Sequence, residues 1–163
     1  MKKKTKIKII VSFFILLMFL VAFRIGYSLY FHHKIVKLAH LPGYEEIDGG
    51  YICQKNDMIY FIAVQKWWKL ASNADISKRA TADEPGFIAT VHIYPFVGPD
   101  NLRINLQYYD DMMNLTYFHV EVDKYCKLAE DNPSALTLEL YDKYKDKIEE
   151  IYNLFKQEWG FYE

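Results

Sequence analysis

The side chains best suited to chemistry in this chain are two histidines and the acidic residues that follow the second of them. His92 and His119 lie in separate segments, and Glu121 and Asp123 come just after His119. On neighbouring strands, these groups would supply the imidazole and carboxylate of an acid–base or metal site. However, the chain contains no HExxH, GxSxG or clustered Asp-x-Asp motif. We therefore expect no catalytic residue, no metal site and no cofactor.

The two cysteines are the other candidate reactive groups. Cys53 and Cys126 would form one disulfide in an exported domain, because an oxidising compartment favours the bond. The alternative is a pair of unbonded, half-buried thiols, since the sequence gives no distance between them. His32 and His33 are adjacent and point to different sides of a helix, so we expect a polar collar there and no metal site.

Residues 101–123 contain the clearest folded element, two alternating segments around a polar turn that includes Asp110 and Asn114. Every second residue from Leu102 to Tyr108, and from Thr116 to Val122, suits a core. This period of two predicts a β-hairpin with one buried face.

The opposite face of this hairpin, extended by the segment 87–96, is polar and rich in tyrosine. Tyr and Arg are enriched at binding hot spots, and a strand face holds them rigidly. The alternative is a solvated face whose tyrosines pair only with cross-strand neighbours. The predicted partner-binding residues are His92, Tyr94, Arg103, Asn105, Gln107, Tyr109, Tyr117 and His119.

The first 31 residues predict a membrane anchor. Residues 1–8 form a basic segment with five lysines, and residues 9–31 are almost entirely apolar. About 20 apolar residues are enough to cross a bilayer. The basic flank indicates a single-pass cell-membrane protein with a cytoplasmic N-terminus and an extracellular C-terminal domain. A cleaved signal peptide is the alternative.

The remainder predicts a stalk and linker at 32–50 and a domain at 51–163. Besides the hairpin, strands are expected at 51–54, 58–65, 87–96 and 134–141, and apolar spacing in 142–159 predicts an amphipathic helix. No element is predicted for 66–84, where Trp67 and Trp68 either cover a core edge or belong to a binding loop. The expected fold class is α+β: a transmembrane helix, an antiparallel sheet of five or six strands and a C-terminal helix.

Charge is distributed unevenly along the chain. The first 38 residues hold eight basic and no acidic side chains, which leaves 12 basic and 21 acidic side chains in the rest, a net charge of -9. An acidic domain is poorly suited to phosphate contacts, so we expect no nucleic-acid partner.

A lysine-rich start, a single anchor, a short linker, a strand reading LRINLQYYD and an aromatic-rich C-terminal helix together resemble the TipC family of bacterial immunity proteins. The local likeness lies in residues 101–110. Members of that family protect Gram-positive cells against an exported toxin of the type VII secretion pathway, which attacks the lipid-linked cell-wall precursor outside the membrane. The resemblance implies stoichiometric toxin neutralisation by a non-enzymatic, membrane-anchored protein.

Two other functions fit the sequence. A non-enzymatic accessory subunit of an envelope or secretion complex would have a resident membrane partner. A small envelope hydrolase would depend on His92, His119 or Glu121.

Overall fold

A single long helix, α1 (Lys3–Ala39), opens the chain. The computed structural model describes residues 3–64, 71–81, 84–94, 97–109, 114–130 and 132–162, with side chains from residue 8 onward. Within those ranges, α1 is the one helix long and apolar enough to cross a membrane. Its side chains from Lys8 to Phe23 are all exposed. The helix stops at Ala39 because Pro42 and Gly43, with φ of +94°, cannot continue it.

One antiparallel sheet follows α1. Its strand order is β1-β2-β3-β4-β5-β7-β8. Neighbours along this path are consecutive in the chain except β5 and β7, which are separated by the short strand β6, and β6 pairs only with β5. The strands are β1 (Glu45–Ile47), β2 (Gly50–Lys55), β3 (Met58–Ala63), β4 (Ser72–Lys78), β5 (Gly86–Tyr94), β6 (Gly98–Pro99), β7 (Leu102–Tyr109) and β8 (Leu115–Val122).

Local turn chemistry fixes the register of β2 and β3. Asn56 and Asp57 have φ of 51° and 58°, the left-handed values that a two-residue hairpin requires at both positions. Lys55 therefore pairs with Met58, and Cys53 pairs with Tyr60. This turn was predicted from the sequence and is confirmed.

Two helices follow the sheet, α2 (Ala135–Lys143) and α3 (Lys145–Trp159), and α3 ends at Gly160 with φ of 65°. The predicted C-terminal amphipathic helix is confirmed, because α3 buries one stripe of side chains against the sheet. That stripe consists of Ile148, Ile151, Tyr152, Phe155 and Trp159.

The core lies between one sheet face and the helices. Its sheet side is the alternating set that the sequence predicted, with Phe87, Ala89, Val91 and Ile93 of β5 fully buried. The C-terminal end of α1 belongs to the same core through Phe31, Ile35 and Ala39, which repeat every fourth residue on one helix face. The segment 32–50, expected as stalk and linker, thus contributes core residues and strand β1.

In the described part of the chain the sheet has eight strands, not five or six. Two of the additional strands, β1 and β6, are very short and lie in segments expected as linker and turn. The third, β4, lies within the unassigned segment 66–84. Its buried side is Ser72, Ala74 and Ile76, a pattern too small and too polar to stand out in the sequence. Trp67 and Trp68 lie outside the described residues, as do residues 110–113 of the hairpin turn.

The prediction of a strand at 134–141 is wrong, because this segment forms α2. Leu136 and Leu138 alternate with polar residues, yet both are exposed. Ser134 caps the helix by accepting a hydrogen bond from the backbone N–H of Thr137 at 3.0 Å. Leucine and glutamate are good helix formers, so the cap and local propensity outweigh a short alternating pattern.

Candidate binding face

The sheet face opposite α3, here called the open face, has no helix over it in the described part of the chain. Cross-strand register sets Ile88 beside Asn105 and Asn105 beside His119, and it sets Thr90 beside Arg103 and Arg103 beside Glu121. All eight predicted contact residues lie on this face, on three neighbouring strands. They are His92 and Tyr94 on β5, Arg103, Asn105, Gln107 and Tyr109 on β7, and Tyr117 and His119 on β8.

Arg103 is held between two carboxylates. Its Nη2 lies 3.3 Å from Oδ2 of Asp100, and its Nε lies 3.6 Å from Oε2 of Glu121. Glu121 also accepts a hydrogen bond from Nδ2 of Asn101 at 3.0 Å. The guanidinium is thus largely neutralised within the protein, so this part of the face presents a polar network and not an isolated positive charge.

Both histidines of the open face are paired with asparagines on neighbouring strands. Nδ1 of His92 lies 2.6 Å from Oδ1 of Asn73, and Nδ1 of His119 lies 2.9 Å from Oδ1 of Asn105. Because an amide oxygen only accepts, the Nδ1–H of each ring donates to its asparagine. The two pairs hold the rings in fixed orientations on the face.

The two histidines are too far apart to act together. Ile88 lies in register with His119, and His92 is four residues further along β5. With strand spacings of about 4.8 Å and about 3.3 Å per residue, the two rings are about 16 Å apart. Acid–base partners must lie within hydrogen-bond reach of the same substrate. The structure therefore does not bring His92 and His119 into one site.

The open face also has an apolar half, which the sequence did not predict as a binding surface. It lies mainly on β2 and β3, where Ile59 is 41% exposed, and Ile88 on β5 is 44% exposed. Ile52 and Phe61, which pair directly across β2 and β3, are half-buried. The signal in the sequence was the apolar character of both sides of β3. Ile52, Ile59 and Phe61 form an apolar patch beside the polar network, and Ile88 lies across Ser77 of β4 from Ile59.

One carboxylate lies at the centre of the open face. Asp75 of β4 lies between Phe61 on one side and Thr90 on the other. Burial raises the pKa of its carboxyl, although the Thr90 hydroxyl and the nearby His92 oppose that shift. Asp75 lies in the segment to which the sequence assigned no element, so its position was not predicted.

A shallow cleft of about 860 Å³ occupies the end of the open face near the β2–β3 turn. It is lined by Ile59 and Gln107, by Lys78 at the end of β4, and by Arg79 and Glu84 from the β4–β5 connection. Glu84 forms ion pairs with Lys78 at 2.7 Å and with Lys147 of α3 at 3.3 Å. These pairs link Glu84 to β4 and to α3.

Of the two alternatives for the cysteines, the structure has the unbonded one: Cys53 and Cys126 are both free thiols. Cys53 is buried on β2, whereas Cys126 follows β8 and is half-buried, so five strand-to-strand steps separate their strands. At about 4.8 Å per step, the two residues are far beyond the distance of about 7 Å that a bridge tolerates. Burial raises the pKa of the Cys126 thiol to about 11.

Among the residues that the structure describes, no three His, Cys, Asp or Glu side chains are grouped so that they could hold a metal ion.

A scan against protein-family models, a search of curated proteins and a search of solved structures each gave no match for this chain.

Proposed function

We propose that this chain is a membrane-anchored immunity protein whose open face binds an exported protein toxin and blocks it one to one. The single observation that carries this proposal is the division of the sheet into two faces. One face is closed by α1 and α3, whereas the other has no helix over it in the described part of the chain and holds an apolar patch beside tyrosines and paired polar groups.

The composition of the open face is that of a protein-binding surface. Interfaces combine an apolar centre with a polar rim and are enriched in aromatic side chains. Ile59 and Ile88 supply exposed apolar area, and Tyr109 and Tyr117 supply aromatic side chains that are 39% and 63% exposed. The strands and the His–Asn pairs fix these groups before binding, which lowers the entropy cost of association.

The toxin is proposed as the partner because of the resemblance to the TipC family. That resemblance rests on the layout of the chain and on residues 101–110, whose described part is β7. Immunity by blocking needs a rigid recognition surface and no catalytic group of its own. The wide separation of His92 from His119 agrees with such a function and does not favour the hydrolase alternative.

An accessory subunit of an envelope complex is the second candidate function. The observation that favours it is the continuity of α1 with the core, since Phe31, Ile35 and Ala39 join helix and domain in one packed unit. A resident membrane partner could then bind α1 and the domain at the same time. The immunity function, in contrast, requires only that α1 holds the domain at the membrane.

The test is binding of the full-length chain, in lipid nanodiscs, to toxins encoded beside it, followed by measurement of toxin activity. A tight one-to-one complex that silences the toxin supports the immunity function. Recovery of resident membrane proteins, with no effect on any toxin, supports the accessory-subunit function. Replacing the apolar part of α1 by an unrelated membrane helix should preserve binding in the first case and abolish it in the second.

A matched pair of tyrosine variants locates the surface. Tyr117 lies on the open face and is 63% exposed, whereas Tyr125 lies beyond β8 on the helix side and is 68% exposed. Tyr117→Ala should weaken binding about 30-fold, the size of a hot-spot loss of about 2 kcal/mol. Tyr125→Ala should leave binding within about twofold, as expected outside an interface. Equal effects of the two changes would contradict the assignment of the open face.

A further inference from the structure

The apolar part of α1 leaves the domain from one particular edge of the sheet. His32, near the point where the helix enters the core, borders a cleft with Gly49, Gly50 and Val64. After the helix ends, Gly43 lies close to Cys53: a Cβ added at Gly43 would be 3.4 Å from Sγ of Cys53. The packed end of α1 thus runs from the start of β2 toward its middle, and the exposed part of the helix extends beyond the start of β2.

This edge is formed by the ends of the strands and not by an edge strand. It is here called the proximal edge, and it is where β2 begins and β3 and β5 end. The backbone bond from the N–H of Val64 to the carbonyl of Gly49, at 2.9 Å, ties the β1–β2 turn to the end of β3. Exposed apolar side chains stand along the edge. Val97, between β5 and β6, is 85% exposed, Ile47 of β1 is 42% exposed and Tyr94 of β5 is 37% exposed.

The opposite edge has mixed polar and apolar side chains. The β2–β3 turn consists of Lys55, Asn56, Asp57 and Met58, and three of these four side chains are polar. Thr81 and Glu84 of the β4–β5 connection lie at the same end of the sheet and line the cleft described above. Exposed apolar side chains are also present at this end, because Tyr109 and Leu115 beside the β7–β8 connection are 39% and 41% exposed. The direction of α1, and not apolar character alone, therefore singles out the proximal edge.

Helix length places the proximal edge close to the membrane surface. A hydrocarbon layer of about 30 Å takes about 20 helical residues at about 1.5 Å each. Counted back from Tyr30, such a span begins at Val11, with only Ile9 and Ile10 between it and the basic segment that ends at Lys8, so nearly all of the exposed apolar part of α1 is used in crossing. Phe31 is already in the core at 5% exposure. No stalk remains to hold the domain away from the lipid.

We propose that the proximal edge docks on the surface of the bilayer that α1 spans, with Ile47, Tyr94 and Val97 in the headgroup region. This inference rests on the membrane anchoring in the proposed function. Tyrosine is favoured at this depth, and small apolar side chains gain by leaving water. Glu46 and Asp48 flank Ile47, so attraction to anionic headgroups does not drive the contact. It depends on apolar insertion, and added salt should leave it intact.

Depth-dependent quenching of a fluorescent label tests the docking. The full-length chain, with Cys53→Ala and Cys126→Ala, is labelled at single cysteines and reconstituted in phosphatidylcholine vesicles containing a lipid with a nitroxide at its headgroup. Ile47→Cys and Ile59→Cys form a matched pair, since the two isoleucines are 42% and 41% exposed. Ile59 lies four residues from the end of β3, about 13 Å from the proximal edge. Val97→Cys gives a second proximal position.

We expect several-fold stronger quenching at positions 47 and 97 than at position 59, unchanged by added salt. Equal quenching at the three positions would overturn the docking. A label at Leu16→Cys, in the exposed part of α1, distinguishes the two levels of failure when the nitroxide is placed deep in the acyl chain. If position 16 is quenched and positions 47 and 97 are not, only the docking fails. If position 16 is not quenched, the anchoring fails and the docking with it. Circular dichroism of each variant confirms that the sheet is formed.

Discussion

The packing of α1 into the core predicts a large loss of stability for Ile35→Ala. Ile35 is 2% exposed and lies between Phe31 and Ala39 on the buried helix stripe. The change removes three buried carbons at about 0.8 kcal/mol each, a transfer loss of about 2.4 kcal/mol. The cavity left behind adds to this loss, so we expect the free energy of unfolding to fall by about 3 kcal/mol, within the range for isoleucine-to-alanine changes in cores.

Ile25→Ala is the matched control for this prediction. Ile25 lies in the same helix, ten residues earlier, and is 49% exposed outside the core. In detergent, the same loss of three carbons there removes no packed contact with the domain. We expect its effect on domain stability to stay within about 0.5 kcal/mol.

The assay is urea unfolding of the full-length chain in a mild non-ionic detergent, followed by tryptophan fluorescence. With an m-value of about 2 kcal/mol/M, a loss of about 3 kcal/mol lowers the midpoint by about 1.5 M. The Ile25→Ala midpoint should remain close to that of the unmodified chain. Equal midpoints for Ile35→Ala and the unmodified chain would mean that α1 is not packed in the core. The direction of α1 would then no longer place the proximal edge at the membrane.

Three further changes test particular contacts. Burial raises the pKa of the Asp75 carboxyl in the folded state. The folded state therefore loses stability as the pH rises from the pKa of the unfolded state through that of the folded state, because the buried carboxyl must then ionise. Asp75→Asn should raise the melting temperature at pH 7 and leave it unchanged near pH 3. Ser134→Ala removes the cap of α2 and should cost about 1 kcal/mol in urea unfolding, whereas Ser134→Asp should restore most of it. Gly50→Ala would bring Cβ to 2.3 Å from the carbonyl oxygen of Ile62 and should cost about 1–3 kcal/mol in the same assay, while Gly26→Ala, with nothing within 4 Å, should cost nothing measurable.

The sequence predicted the elements whose patterns are strong and long. The hairpin of β7 and β8 alternates over eight residues in each strand, and α3 repeats its apolar stripe over about three turns. In such elements a shift by one residue would expose a whole core face, so pattern and structure agree. Strand β4 has only Ile76 as a large apolar residue on its buried side. It is buried because the neighbouring strands enclose it, and its own sequence does not predict this.

The open face was predicted in part for the same reason. The outward residues of β5, β7 and β8 follow from alternation alone. The positions of the apolar half and of Asp75 follow from the pairing of β4 with β3 and with β5. The length and composition of the connecting segments do not predict that pairing. The sequence places Phe31 in the membrane anchor and Ile35 and Ala39 in the stalk, because all three continue an already apolar helix. Nothing in their types separates side chains that face lipid from side chains that face a core.

The pairing of Arg103 decides how the open face must be tested. As an isolated cation, Arg103 would be examined best by Arg103→Glu, combined with Tyr109→Ala. In the structure, a glutamate at this position would stand between the carboxylates of Asp100 and Glu121. Repulsion among three carboxylates would then disturb β7 and β8 and weaken binding even if the partner docked elsewhere. Arg103→Met removes the charge but keeps the aliphatic stem, and Tyr117→Ala disturbs no ion pair. Loss of binding in these two variants therefore reports on contact with the partner, whereas loss in Arg103→Glu reports first on the sheet itself.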